Sequence, residues 1–197
     1  MIKTTLKRIF ALVGSALTPI VSILYIIVGI ENIISIGKDV ATNFFLTFSF
    51  LLFFGLAFAL TYFGGKVLFS FLNKEDDDEP FIVMVMCYTV FQFAYNLLCI
   101  CFYGGSAANW VLFVFSLAAS LLLLVHVLGI ETAWYTDVIG IGIGMITALT
   151  SACSGEGLIL VASIIFAIVC ISIMAIFALY LIHDAPTEDQ KDDSNEK

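Results

Sequence analysis

Few side chains in this sequence combine the residue types and spacing that chemistry requires. Gln92 and Asn96 stand four residues apart, which puts two carboxamides on one face of a helix. In lipid such a pair bonds a neighbouring helix or lines a path for an uncharged solute, and the first use is the commoner. His126 falls late in an apolar stretch with no acid in its interior. A proton relay needs acidic partners within the membrane, so His126 reads as an interfacial side chain. The five cysteines are Cys87, Cys99, Cys101, Cys153 and Cys170. They form no Cys-x-x-Cys pair, and no histidine or carboxylate is spaced to complete a zinc site. They read as small hydrophobes, with a Cys101–Cys153 disulfide as the alternative. No Ser-His-Asp, Cys-His or paired-carboxylate arrangement lies in the apolar segments. The expectation is a protein that is not an enzyme and carries no cofactor or metal.

A second spacing concerns packing. The run Val138-Ile-Gly-Ile-Gly-Ile-Gly-Met opens a segment in which Gly140, Gly144, Ala148 and Ala152 recur every fourth residue. One small-residue helix face lets another helix approach closely. The glycines look like a phosphate loop only superficially, because no Lys or Ser/Thr follows where phosphates need them.

The elements that position these residues follow from composition. Of 197 residues, 61% are hydrophobic and 12% charged, and mean hydropathy is +1.10. A soluble chain of this size still exposes roughly a third of its unfolded surface. That excludes a soluble enzyme and a secreted disulfide scaffold, and a net charge of −8 excludes a nucleic-acid partner. Six stretches approach the roughly 20 residues needed to cross a bilayer. They are 9–30, 44–65, 81–103, 107–130, 134–152 and 158–182. The fold class is an all-α, polytopic transmembrane helix bundle of six spans, with five as the alternative. The fifth is the weak one, since its uninterrupted apolar part is 138–152 and Asp137 lies near its start; a short or re-entrant helix is open there. Pro19 is expected to kink the first span.

Positive charge sets the orientation. With six spans, Lys3, Lys7, Arg8, Lys66, Lys74, Lys191 and Lys197 lie on one side and only Lys38 on the other. Both termini are therefore expected in the cytoplasm. The first span reads as an uncleaved signal-anchor. Residues 1–183 form one membrane domain, and 184–197 form a disordered acidic tail. The acidic run 75–79 reads as a hydrated loop, with a cation or basic-partner site as the sharper alternative. Tyr103, Asn109 and Trp110 mark the outer border, and Trp134 and Tyr135 the inner one.

One order of residues is familiar. Tyr62-Phe63-Gly64-Gly65-Lys66 ends the second span, Tyr88 lies in the first turns of the third, Trp110 starts the fourth, and His126-Val-Leu-Gly129-Ile130 ends it. Over about 58–148 this resembles the Yip1 domain family, above all its bacterial members. The third span lacks the proline common after the Tyr, the acidic run at 75–79 looks inserted, and a sixth span exceeds the family's usual five. The resemblance implies a role in vesicle traffic with small GTPases for eukaryotic members and no specific role for bacterial ones; the Ile- and Phe-rich composition fits a protein of the bacterial cell membrane. Physically, Gly64 and Gly65 permit a bend or a close neighbour, Lys66 snorkels to headgroups, and 67–72 lies along the interface.

Two functions follow. The first is lateral helix contact with lipids, other membrane proteins or a second copy, through the glycine face of span five and the Gln92/Asn96 face. The alternative is a small permease for an uncharged or apolar solute, its path lined by Gln92, Asn96, Ser116, Ser120 and Thr147. Convergence of those side chains on one water-filled cavity, or their dispersal among separate helix neighbours, discriminates the two.

Overall fold

The computed structural model describes residues 2–34, 40–73, 79–130, 135–154 and 156–184. Among them the regular structure is entirely helical: α1 (Ile2–Ile34), α2 (Val40–Asn73), α3 (Glu79–Tyr103), α4 (Ala107–Val127), α5 (Tyr135–Ser154) and α6 (Gly157–Asp184). Long apolar runs have no other low-energy state in lipid, because a helix satisfies its own backbone groups. Helices α1 to α5 are long and apolar enough to cross a membrane, and α6 adds a further apolar stretch over Gly157–Ser172. Large apolar side chains face outward on every helix, for example Ile23, Phe58, Val90, Val114, Ile139 and Ile168. A bilayer covers such a surface at no cost. The protein is a multi-pass helical bundle of membrane-spanning character.

Successive helices pack on one another, and α6 returns to pack on α1, so the six form a closed ring; α3 also reaches α5. The buried core contains Val21, Tyr25 and Val28 of α1, Phe53, Leu56 and Leu60 of α2, Val85 and Tyr88 of α3, Leu123 of α4, Ile141 of α5 and Phe166 of α6. Tyr88 stacks on Phe166 with ring centroids 3.9 Å apart. Tyr25 packs against Phe53 and meets Phe91 edge-on.

Several boundaries differ from the sequence expectation. The fifth span is a continuous 20-residue helix, about 30 Å long, and not a short one. Helix α4 stops at Val127, before the expected 130. Gly129 has φ +68°, and its N–H bonds the His126 carbonyl while the Ile130 N–H bonds that of Val125. This is the left-handed glycine cap that closes a helix. Gly64-Gly65-Lys66 does not end the second helix, because α2 runs on to Asn73. A Cβ on Gly64 would lie 2.7 Å from Thr18 Cγ2, so Gly64 serves close packing of α1 on α2 and not a bend. Val67 and Ser70 beyond it are buried in the bundle, which corrects the interfacial reading of 67–72. Asp184, expected to open the tail, is the last residue of α6.

Pro19 lies within an unbroken α1. Beside it, the Thr18 hydroxyl donates to the Gly14 carbonyl and Ser22 to that of Thr18. Lys38, the acids 75–78, Trp134 and the tail from 185 onward lie outside the described residues.

Candidate functional site

Short connections fix which side chains meet. The turn Gly104–Ser106 joins α3 to α4, with Gly104 and Gly105 both at positive φ. Ser106 caps α4: its hydroxyl accepts the Asn109 backbone N–H, and Asn109 Oδ1 accepts the Ser106 N–H at 2.9 Å. This reciprocal cap orients the Asn109 amide, whose Nδ2 donates to Asn96 Oδ1 at 2.9 Å.

From Asn96 the bonds run along α3. Asn96 Nδ2 donates to the Gln92 carbonyl and to Gln92 Oε1, at 2.7 and 3.1 Å. Gln92 Nε2 donates to Tyr88 Oη at 2.9 Å and to Ser151 Oγ of α5 at 3.3 Å. Ser163 of α6 donates to Ser151 at 3.2 Å. The result is one uncharged polar column. It starts at the exposed Ser106 and ends at Tyr88, in contact with α3, α4, α5 and α6. Gln92, Asn96 and Ser163 are buried, so desolvation is offset only by these mutual bonds.

Beyond Tyr88 lies Tyr25 of α1, its ring centroid 6.4 Å away. Tyr25 is 1% exposed, and its hydroxyl lies beside those of Tyr88 and Ser163.

The structure thus joins Gln92, Asn96 and Tyr88, and adds Asn109, Ser151, Ser163 and Tyr25, which sequence reasoning did not place together. The Ser-x-x-Asn spacing of 106–109 signals the cap, but nothing in the sequence signals that Asn109 also reaches Asn96. Ser116 and Thr147, expected on a solute path, bond carbonyls of their own helices. Ser120 bonds Thr89 across α3 and α4 at 3.0 Å, apart from the column.

The small-residue face of α5 is internal. A Cβ on Gly140 would lie 2.7 Å from Leu123 Cδ2, and one on Gly144 2.9 Å from Val85 Cγ1. Ala148 and Ala152 are buried. These residues, and the Gln92/Asn96 face, are occupied by the chain's own helices. The expectation that they form surfaces open to partners is corrected. Of the motif residues, Lys66 is exposed, its Nζ 5.2 Å from the Tyr62 ring centroid.

A second polar pair lies at the opposite end of the bundle. His126 Nδ1 stands 2.9 Å from Asp137 Oδ2, linking the last turn of α4 to the first of α5. His126 therefore has an acidic partner after all. The partner escaped the sequence reading because it belongs to the next helix. Asp137 Oδ1 is buried without a partner. Among the described residues no cluster of three or more His, Cys, Asp or Glu is arranged to hold a metal, and Cys101 and Cys153 are free and exposed.

No protein-family model, curated protein or solved structure matches the chain.

Proposed function

We propose that this multi-pass membrane protein is a non-enzymatic binder and conductor of a small uncharged polar solute, admitted at the Gly104–Ser106 end. The supporting observation is convergence: carboxamides and hydroxyls from four helices meet in one column (Gln92, Asn96, Asn109, Ser151 and Ser163). An uncharged lining suits an uncharged solute, because an ion would need charged or carbonyl ligands to offset its desolvation. Cofactors and nucleic acid have no part in this reading. The site is the bacterial cell membrane, on the Ile- and Phe-rich composition, with both termini cytoplasmic.

The test is stopped-flow light scattering on proteoliposomes in a urea or glycerol gradient. Wild-type vesicles should re-equilibrate faster than protein-free ones, and Gln92→Leu should remove most of the gain. Equal rates for wild-type and protein-free vesicles would reject the proposal.

A second reading, lateral contact with membrane partners or a second copy, is favoured by the outer face of α2. Gly55 is exposed with open space around it, and Ala59 follows one turn on, a small-residue spacing used in helix association. Kinship with the Yip1 domain family belongs to this reading. Gly55→Leu should then shift the oligomer or partner distribution in native nanodiscs without lowering Tm.

A further inference from the structure

Helix α2 contains a single charged residue, Lys66. Its depth follows from the register of α2 on α3. Phe45 meets Tyr103, and Phe53 meets Phe91 and Tyr95. The two helices therefore run antiparallel, and the same register carried onward brings Lys66 level with the first turn of α3. Helix α2 continues past it to Asn73. Apolar surface lies on both sides of the charge, because Phe58 and Tyr62 before it and Leu68 and Phe69 after it are all exposed.

A lysine at a membrane border ordinarily extends its ammonium to water. Lys66 turns the other way. Helical side chains lean toward their own N-terminus, which for this residue is the direction of the bilayer interior. Its Nζ stands 5.2 Å from the centroid of the Tyr62 ring, one turn back. The ring face offsets part of the cost of holding a cation beside lipid, and an anion must offset the rest. Among the described residues Lys66 makes no ion pair. An anion that reaches a lipid-facing ammonium at this depth belongs to the lipid itself.

We infer that Lys66 and Tyr62 form a binding point for the phosphate of an anionic phospholipid, flanked by Phe58 on the acyl side and Phe69 on the headgroup side. The site lies on the outer face of α2, apart from the polar column, and does not depend on the solute reading.

Native mass spectrometry of the full chain in mild detergent tests it, with phosphatidylglycerol and phosphatidylcholine as the two probes. Wild type should bind its first phosphatidylglycerol about fivefold tighter than phosphatidylcholine. Lys66→Gln should abolish that preference, Lys66→Arg should keep it, and Tyr62→Leu should reduce it to about twofold. Both side chains are exposed, so Tm without added lipid should not move in any of the three. Equal affinities in wild type would overturn the inference, since the charge is then met within the chain. A preference that survives Lys66→Gln would overturn it too, because Lys3, Lys7 and Arg8 then carry the attraction. Displacement of the bound lipid by millimolar inorganic phosphate would also overturn it, since the site then takes a soluble anion.

Discussion

Removing one carboxamide from the column strands two others. Asn96→Leu leaves Asn109 Nδ2 and Gln92 Oε1 without the bonds they make to Asn96. An unmet buried polar group costs about 1–3 kcal/mol, so thermal unfolding in mild detergent should show a loss of that size, about 2–4 °C per kcal/mol. Ser151→Ala leaves Gln92 Nε2 its bond to Tyr88 but takes the acceptor of the buried Ser163 hydroxyl, so it too should cost about 1–3 kcal/mol. At the other end, His126→Leu strands the Asp137 carboxylate, whose side chain is 10% exposed. The expected loss is about 1–3 kcal/mol, below the ~3–5 of a fully buried pair, because the His126 side chain is 32% exposed. Asp137→Asn should be milder, since a neutral amide still accepts from the imidazole. Equal losses for the two variants would reject the account in which Asp137 serves as the acceptor for the imidazole. Gln92 and Asn96 were legible as a shared face because their spacing is local. Their partners Asn109 and Ser151, and the His126–Asp137 pair, depend on which helices adjoin, and no periodicity within one helix encodes that.

At the scale of the helix, glycines sort by what stands opposite them. A Cβ at Gly64 meets the Thr18 Cβ and Cγ2, and one at Gly144 meets Val85 Cγ1. Both neighbours are β-branched and stiff, so Gly64→Ala and Gly144→Ala should each destabilise by about 1–3 kcal/mol. Gly144→Leu should block assembly. Gly140→Ala should cost less, because Leu123 can turn its branched end aside. Gly65 and Gly142 face open space, so Ala there should stabilise by about 0.5–1 kcal/mol. A melting series across these five positions checks the ranking, and a destabilised Gly65→Ala would break it. The sequence identifies the four-residue repeat of α5 as a packing face but not its neighbour. It misreads Gly64-Gly65 as a helix end, because two adjacent glycines look alike until one is seen against Thr18.

For the whole molecule, composition alone dictates the class. Runs this apolar have no other home than lipid, so the all-helical bundle and its approximate spans are readable without coordinates. Helix order around the ring is not, since every span offers the same hydrophobic surface and the choice rests on small steric differences. We propose six crossings, which would put both termini on one side, the cytoplasmic one on the positive charge of Lys3, Lys7 and Arg8. Protease protection of N- and C-terminal tags in sealed inverted vesicles should show both digested. A protected C-terminal tag would reduce the crossings to five.

The packing of α6 on α1 sets a timetable for biosynthesis. The inward face of α1, with Thr18, Val21, Ser22 and Tyr25, leaves the ribosome first, and the helix that completes its cover leaves last. At about 5–20 residues per second that face waits roughly ten seconds or more, with two hydroxyls bonded back to their own helix and one, on Tyr25, not. A nascent chain that stalls before α6 therefore leaves the inward face of α1 without the helix that covers it.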